Sequence, residues 1–170
     1  MRLRPVSAAA DTGLRRISVR CTFPSVWSLG GRFTTMADSA TTEGRFALVE
    51  ALAWQSTEPP VQIHRNEDEA WYVLDGAMTC YVADDVVEAG PGTFVLAPRG
   101  LPHTFTVDVE PTRVLLLASP GGFERFAEEL GTPAQDDAQP TTLAVPGPAV
   151  LGPVAARYGI EVVGPPRRAV

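Results

Sequence analysis

Residues 59–76 read PPVQIHRNEDEAWYVLDG, and residues 92–105 read GTFVLAPRGLPHTF. These two stretches hold both histidines of the chain, His64 and His103. Each stretch reads as an extended segment, a polar or Gly/Pro turn, and a second extended segment. Because successive side chains of a strand point to opposite faces, Gln62 and His64 share a face. We therefore expect the two stretches to meet in space, with both histidines in one region.

The spacing within the two stretches resembles the paired motifs of the cupin superfamily. The first motif there is His-x-His, four residues, Glu, six residues, Gly. The second is Gly, five residues, Pro-x-Gly, two residues, His, three residues, Asn. Seven positions keep both the residue type and the spacing: His64, Glu69 and Gly76 in the first motif, and Gly92, Pro98, Gly100 and His103 in the second. Two positions depart, since Gln62 stands in place of a histidine and Val107 in place of the asparagine.

The resemblance implies an all-β fold, the cupin double-stranded β-helix (jelly-roll) barrel, with short C-terminal helices. Over residues 26–165 the order of strands and trailing helix is similar to small single-domain cupins of the quercetin dioxygenase-like kind. Cupins of this sort commonly form homodimers, and an exposed apolar sheet is one physical reason for that. The 16 prolines and 15 glycines agree with many short strands and turns.

Carried over by position, the cupin metal ligands are Gln62, His64, Glu69 and His103. Two imidazoles and one carboxylate are the ingredients of a non-haem Fe(II) site with open positions. The implied cofactor is a divalent transition metal, with Fe as the first expectation and Mn, Ni, Zn or Cu as the others. Gln62 offers a neutral oxygen in place of imidazole, which predicts weaker binding and a position free for water or substrate. Glu69 is also the candidate catalytic residue, as a proton shuttle.

Three functions remain open from the sequence. The first is a metal-dependent dioxygenase-like enzyme acting on a small, aromatic or polyketide-like molecule. The second is a metal-free binding or sensing barrel, in which Gln62 and His64 hold a ligand by hydrogen bonds. The third is a non-redox isomerase, cyclase or decarboxylase that uses the ion as a Lewis acid. Fold does not choose among them. Without the motif spacing, the acidic residues 67–69 would read as a solvated turn.

Composition excludes several other classes. A chain of 170 residues fits one domain, and its net charge of −6 argues against a nucleic-acid partner. All 14 basic residues are arginine, so the protein has no lysine for Schiff-base chemistry or for a P-loop. Cys21 and Cys80 are expected to be free thiols. No apolar run reaches the ~20 residues of a membrane span, and no secretory signal is visible, so the default expectation is cytoplasmic.

The chain divides into four expected parts. Residues 1–24 form a poorly ordered lead-in, and residues 25–130 form the barrel with its trailing helix. Residues 131–148 are a linker rich in Pro, Ala, Asp and Gln, and residues 149–170 pack a helix and a strand on the barrel.

Local patterns add finer predictions. Asp75-Gly76 predicts a hairpin turn that ends one strand and starts the next at Ala77. Helical spacing over residues 123–130 predicts a helix that ends at Gly131. A second helix is expected only in the later part of residues 150–158, because Gly152 and Pro153 interrupt it. Four aromatic residues are assigned to the barrel core: Trp71, Tyr72, Phe94 and Phe105.

Overall fold

The structure is a computed structural model that describes residues 23–55, 57–134 and 145–167. Within these ranges the chain forms ten strands and two helices: β1 (Ser25–Ser28), β2 (Gly31–Ala37), β3 (Ala47–Ala53), β4 (Pro60–His64), β5 (Asp68–Val82), β6 (Asp85–Ala89), β7 (Phe94–Ala97), β8 (Pro102–Ser119), α1 (Phe123–Leu130), β9 (Thr132–Pro133), α2 (Pro148–Arg157) and β10 (Ile160–Pro166). The predicted lead-in lies outside the described residues apart from residues 23 and 24. The middle of the predicted linker, residues 135–144, lies outside them as well.

Two long antiparallel strands, β5 and β8, run through the whole barrel and pair with each other along their length. The first half of β5 pairs with the last part of β8, and there β7 and β3 flank the pair. The second half of β5 pairs with the first part of β8, and there β6 and β4 flank it. Two facing layers that share bent strands make a jelly roll. The predicted all-β cupin barrel with short helices is therefore confirmed.

The predicted hairpin at Asp75-Gly76 is wrong, because β5 continues through this dipeptide as one bent strand. Gly76 has a φ of 80°, a left-handed conformation that glycine adopts without steric cost. The pairing with β8 shifts register on both sides of it. Thr112 of β8 closes the bend, since its hydroxyl accepts from Ala77 N at 3.1 Å and donates to Ala77 O at 2.8 Å. Asp75-Gly76 therefore forms a bend within β5, where the strand passes from one layer to the other. The strand continues because β8 pairs with β5 on both sides of the bend.

The core lies between the layers and includes Trp71 of β5, with Phe105 packed against it. The assignment of Tyr72 and Phe94 to the core is wrong, because their exposed fractions are 40% and 59%. Tyr72 follows buried Trp71 on β5 and therefore points to the opposite face. Phe94 pairs with Tyr72 across β5 and β7 and lies on the same outer face.

The helices close one side of the barrel. The prediction for α1 is confirmed, including its end at Gly131, and its buried residues include Phe123 and Phe126. The second helix starts earlier than predicted, at Pro148, and runs through Gly152 and Pro153. Proline suits the first position of a helix, whose N–H has no partner inside the helix. No helix among the described residues is long and apolar enough to span a membrane.

Candidate metal centre

Three predicted ligands meet where three strands begin or end. His64 is the last residue of β4, Glu69 is the second residue of β5, and His103 is the second residue of β8. The short turn between β4 and β5 brings Glu69 back beside His64, while β8 pairs directly with β4. One ligand atom from each residue lies within 4.8 Å of the other two, and all three side chains are buried. The cluster therefore depends on strand pairing between residues far apart in the sequence.

The atoms that face one another in this cluster suit a divalent cation. Glu69 Oε2 lies 3.5 Å from His64 Nε2 and 3.2 Å from His103 Nε2. All three atoms are buried, and none has a hydrogen-bond partner of acceptable geometry among the described residues. Buried polar atoms without partners are unfavourable, and an ion between them would satisfy all three. Two imidazole nitrogens and one carboxylate oxygen therefore fit a transition metal on chemical grounds.

The remaining ring nitrogens are held from outside the cluster. His103 Nδ1 donates to the backbone carbonyl of Leu101 at 3.0 Å. His64 Nδ1 lies 3.0 Å from Oε1 of Glu67, a carboxylate that is itself buried. Both Nε2 atoms are thereby turned toward Glu69. The sequence analysis did not identify Glu67, because residues 67–69 have the composition of a solvated acidic turn. The only feature of the sequence that indicates its role is its position three residues after His64.

Charges within the cluster shift the pKa values of His64 and Glu69. Burial lowers the pKa of His64, but the negative charges of Glu69 and Glu67 outweigh it and raise this pKa above 6.5. Burial raises the pKa of Glu69, but the charge of His64 and the contacts with His103 outweigh it and lower this pKa below 4.5. Glu69 is therefore ionised at neutral pH. An ion that binds His64 must displace its proton, so the metal affinity rises with pH across that raised pKa.

Gln62, the fourth predicted ligand, lines the same cavity as Glu69. Its Cα pairs with that of His103 across β4 and β8. The alternation of β4 places Gln62 on the same face as His64, as expected from the sequence. Its role as a fourth ligand stays a prediction.

Glu69 connects the cluster to a cavity of about 70 Å³ that it lines together with Gln62, whereas His64 and His103 lie behind the cavity wall. Its lining is mainly apolar and includes six large side chains: Phe33, Trp71, Met78, Phe105, Phe123 and Phe126. The Phe123 ring stacks on His64 at 5.9 Å, and the Trp71 ring meets His103 edge-on at 5.8 Å. Apolar walls strengthen charge interactions at the cluster because they exclude water. A cavity of this size holds a compact molecule, or the reacting end of a larger one.

Cys80 does not supply a reactive thiol. It is fully buried, and burial raises its pKa to about 12. A thiol is nucleophilic only as the thiolate, so Cys80 acts as a small core residue. Cys21 lies outside the described residues.

Comparison with known proteins agrees with this fold. Residues 49–118 match the family model described as the cupin domain. This chain therefore carries a cupin domain, and its barrel is a cupin barrel. Quercetin 2,3-dioxygenase of Bacillus subtilis (strain 168) is 28% identical over 98 residues, which cover 58% of this chain and 29% of that enzyme. The match thus spans less than a third of the enzyme's length, and the chain is a distant relative of it.

Two solved structures resemble the barrel. An RmlC-like cupin from Shewanella frigidimarina superposes with a TM-score of 0.53 at 15% identity, over 62% of this chain and 89% of that one. The polyketide cyclase RemF from Streptomyces resistomycificus superposes with a TM-score of 0.50 at 24% identity, over 63% of this chain and 80% of that one. Likeness at this level concerns the fold alone.

Proposed function

We propose that the protein is a metal-dependent, dioxygenase-like cupin enzyme that acts on a small aromatic or polyketide-like molecule. One observation carries the proposal: two imidazole nitrogens and one carboxylate oxygen, all buried, face one another beside an apolar cavity. The distant similarity to a quercetin dioxygenase supports the same class. The aromatic lining of the cavity suits a flat, apolar substrate.

His64, Glu69 and His103 are the proposed ligands, with Gln62 as a fourth ligand or an orienting amide. An Fe(II) ion bound by two imidazoles and a carboxylate supplies open positions for substrate and O2. Mn, Ni, Zn and Cu are the other proposed ions. Glu69 is ionised at neutral pH, so its carboxylate can accept a proton from a substrate hydroxyl that enters the cavity. The apolar walls hold the substrate and keep bulk water away from that proton.

Oxygen uptake tests the reaction class. The purified protein is loaded anaerobically with Fe(II) and then mixed with O2 and a panel of flavonols and other polyphenols. We expect substrate-dependent oxygen consumption that vanishes in His103→Ala. Conversion of a substrate without oxygen consumption would contradict the oxygenase proposal. It would indicate a non-redox isomerase or cyclase that uses the same ion as a Lewis acid.

A metal-free binding barrel is the second candidate, and one observation favours it. Glu69 already lies between the two imidazoles, so a proton shared within the cluster would compensate the buried charge without an ion. In that case a ligand occupies the cavity without turnover. Elemental analysis of the purified protein separates this candidate from the enzyme, because only the enzyme requires a stoichiometric metal.

Gln62→His is expected to tighten metal binding about 10-fold or more, because imidazole is a stronger ligand than a neutral amide oxygen. The two side chains are similar in size and the strand parity is correct, so the thermal unfolding midpoint should change little. Competitive titration of Mn(II), Ni(II) and Zn(II) against wild type and variant measures the effect. Gln62→Leu is the matched control, since it keeps the size without a donor. Equal affinities in all three proteins would show that this position does not reach the ion.

The proposed partners are a small-molecule substrate and a second copy of the chain. An apolar outer face formed by Tyr72, Phe94 and Leu96 is exposed and provides a surface for such a homodimer. Leu96→Arg is expected to convert a dimer into a monomer in light scattering coupled to gel filtration. Val86→Arg, at an exposed apolar position on β6, should leave the dimer intact. A monomeric wild type would contradict the proposal.

A further inference from the structure

The carboxylate of Glu67 lies outside the ligand cluster but is only 4% exposed. We propose that Glu67 is a positioning residue of the metal centre. Its carboxylate orients the His64 ring so that Nδ1–H faces Glu67 and Nε2 faces Glu69 and His103. The inference deepens the proposed function, since it concerns how this chain prepares one ligand for the ion.

The contact itself supports this role. Glu67 Oε1 lies 3.0 Å from His64 Nδ1, at an angle outside the hydrogen-bond range, so the attraction is chiefly electrostatic. A carboxylate oxygen offers only lone pairs and would repel an unprotonated ring nitrogen. The proton is therefore favoured on Nδ1, and the Nε2 lone pair becomes available for an ion. Carboxylates that hold a ligating imidazole from its far side also make that imidazole more basic.

The turn that carries Glu67 is fixed from two directions. Arg65 N donates to Gly159 O, and Asn66 Nδ2 donates to Tyr158 O, both at 2.9 Å. Arg99 Nη1 donates to Asn66 O at 3.1 Å from the turn before β8. These bonds connect the turn to the C-terminal segment and to the second motif. Burying a carboxylate is unfavourable unless a donor faces it, and His64 is the group that faces Glu67.

The two imidazoles are held differently. His103 Nδ1 donates to a neutral backbone carbonyl, that of Leu101, whereas His64 faces a charged side chain. A side chain can be replaced without altering the backbone, so the arrangement at His64 can be tested by mutation. The charge also distinguishes the two ligands, because Glu67 makes His64 the stronger electron donor to an ion.

The first measurement uses metal-free, 15N-labelled protein at a pH above the raised pKa of His64, where the ring carries one proton, and the ring-nitrogen shifts of its two histidines. A spectrum of His103→Ala assigns them. In wild type, His64 Nδ1 is expected to carry a proton. In Glu67→Leu the proton should move to Nε2, where Glu69 Oε2 is the remaining acceptor. An unprotonated Nδ1 in wild type would overturn the proposal, and so would a protonated Nδ1 in a folded Glu67→Leu variant.

The second measurement is the affinity for Co(II), followed by its visible absorption. Glu67→Leu is expected to weaken binding 10- to 100-fold, and Glu67→Gln should weaken it less, because its amide oxygen still presents a partial negative charge to Nδ1 although the full charge is lost. Asp68→Asn is the matched control, since its carboxylate is exposed and pairs with Arg99. If Glu67→Leu fails to fold, Glu67→Gln decides: an affinity equal to wild type would overturn the proposal. A wild type that binds no Co(II) but keeps its proton on Nδ1 would contradict the proposed metal-dependent function, whereas the finding that Glu67 orients the His64 ring would still hold.

Discussion

Metal binding is expected to disappear in His103→Ala, with a loss of more than about 100-fold in affinity, because only two strong ligands remain. Glu69→Ala should have the same effect, since it removes the charge that faces both Nε2 atoms. Isothermal titration with Mn(II), Ni(II) and Zn(II), and anaerobic titration with Fe(II), measure the loss. Both positions are buried, so circular dichroism must first show that each variant keeps its β-sheet signal.

The control for these variants is Asp68→Asn, in the same acidic turn as Glu69. Arg99 pairs with Asp68 through its side chain and its backbone N–H, and lowers the pKa of Asp68 to about 2. The pair is exposed, so its loss should change stability little and leave metal affinity unchanged. If wild type binds no ion more tightly than His103→Ala does, the oxygenase proposal fails.

Gly76→Ala is expected to lower the free energy of unfolding by about 3 kcal/mol or more, from two sources. A left-handed φ costs an ordinary residue about 1–2 kcal/mol. A Cβ added at Gly76 would also lie 2.8 Å from Thr112 Cα and 2.7 Å from its hydroxyl oxygen. Relieving that overlap requires movement of the β8 backbone, at a cost of about 1–3 kcal/mol. Urea denaturation followed by tryptophan fluorescence measures the change.

Gly92→Ala separates the two sources. Gly92 also has a positive φ, of 87°, but a Cβ there would meet no atom within 4 Å. This variant should therefore show only the conformational cost. Equal destabilisation by the two substitutions would mean that the close approach to Thr112 contributes nothing to the corner.

Much of the fold and of the site follows from short-range sequence features. The spacing of the two motifs predicts the cupin barrel, and alternation along β4 places Gln62 and His64 on one face. Helical periodicity predicts α1 together with its end at Gly131. These features depend on residues within a few positions of one another, where dihedral preferences and side-chain alternation act directly.

Other features depended on the partners that the tertiary structure supplies. Asp75-Gly76 has the composition of a hairpin turn, but both halves of β5 pair with β8, so the dipeptide becomes a corner. Nothing local to the sequence shows that β8 is long enough to do this. Tyr72 and Phe94 are as apolar as core residues, yet the order of strands in the sheet leaves their face uncovered.

The ligand cluster shows the same division. Residue type and motif spacing are enough to identify His64, Glu69 and His103 as the residues that can bind an ion. The folded chain is needed to show that their buried atoms face one another, and that Glu67 is buried against His64 rather than solvated. Burial and charge pairing at the cluster depend on contacts distant in the sequence, because β4 pairs with β8 and the C-terminal segment around residue 159 holds the turn between β4 and β5.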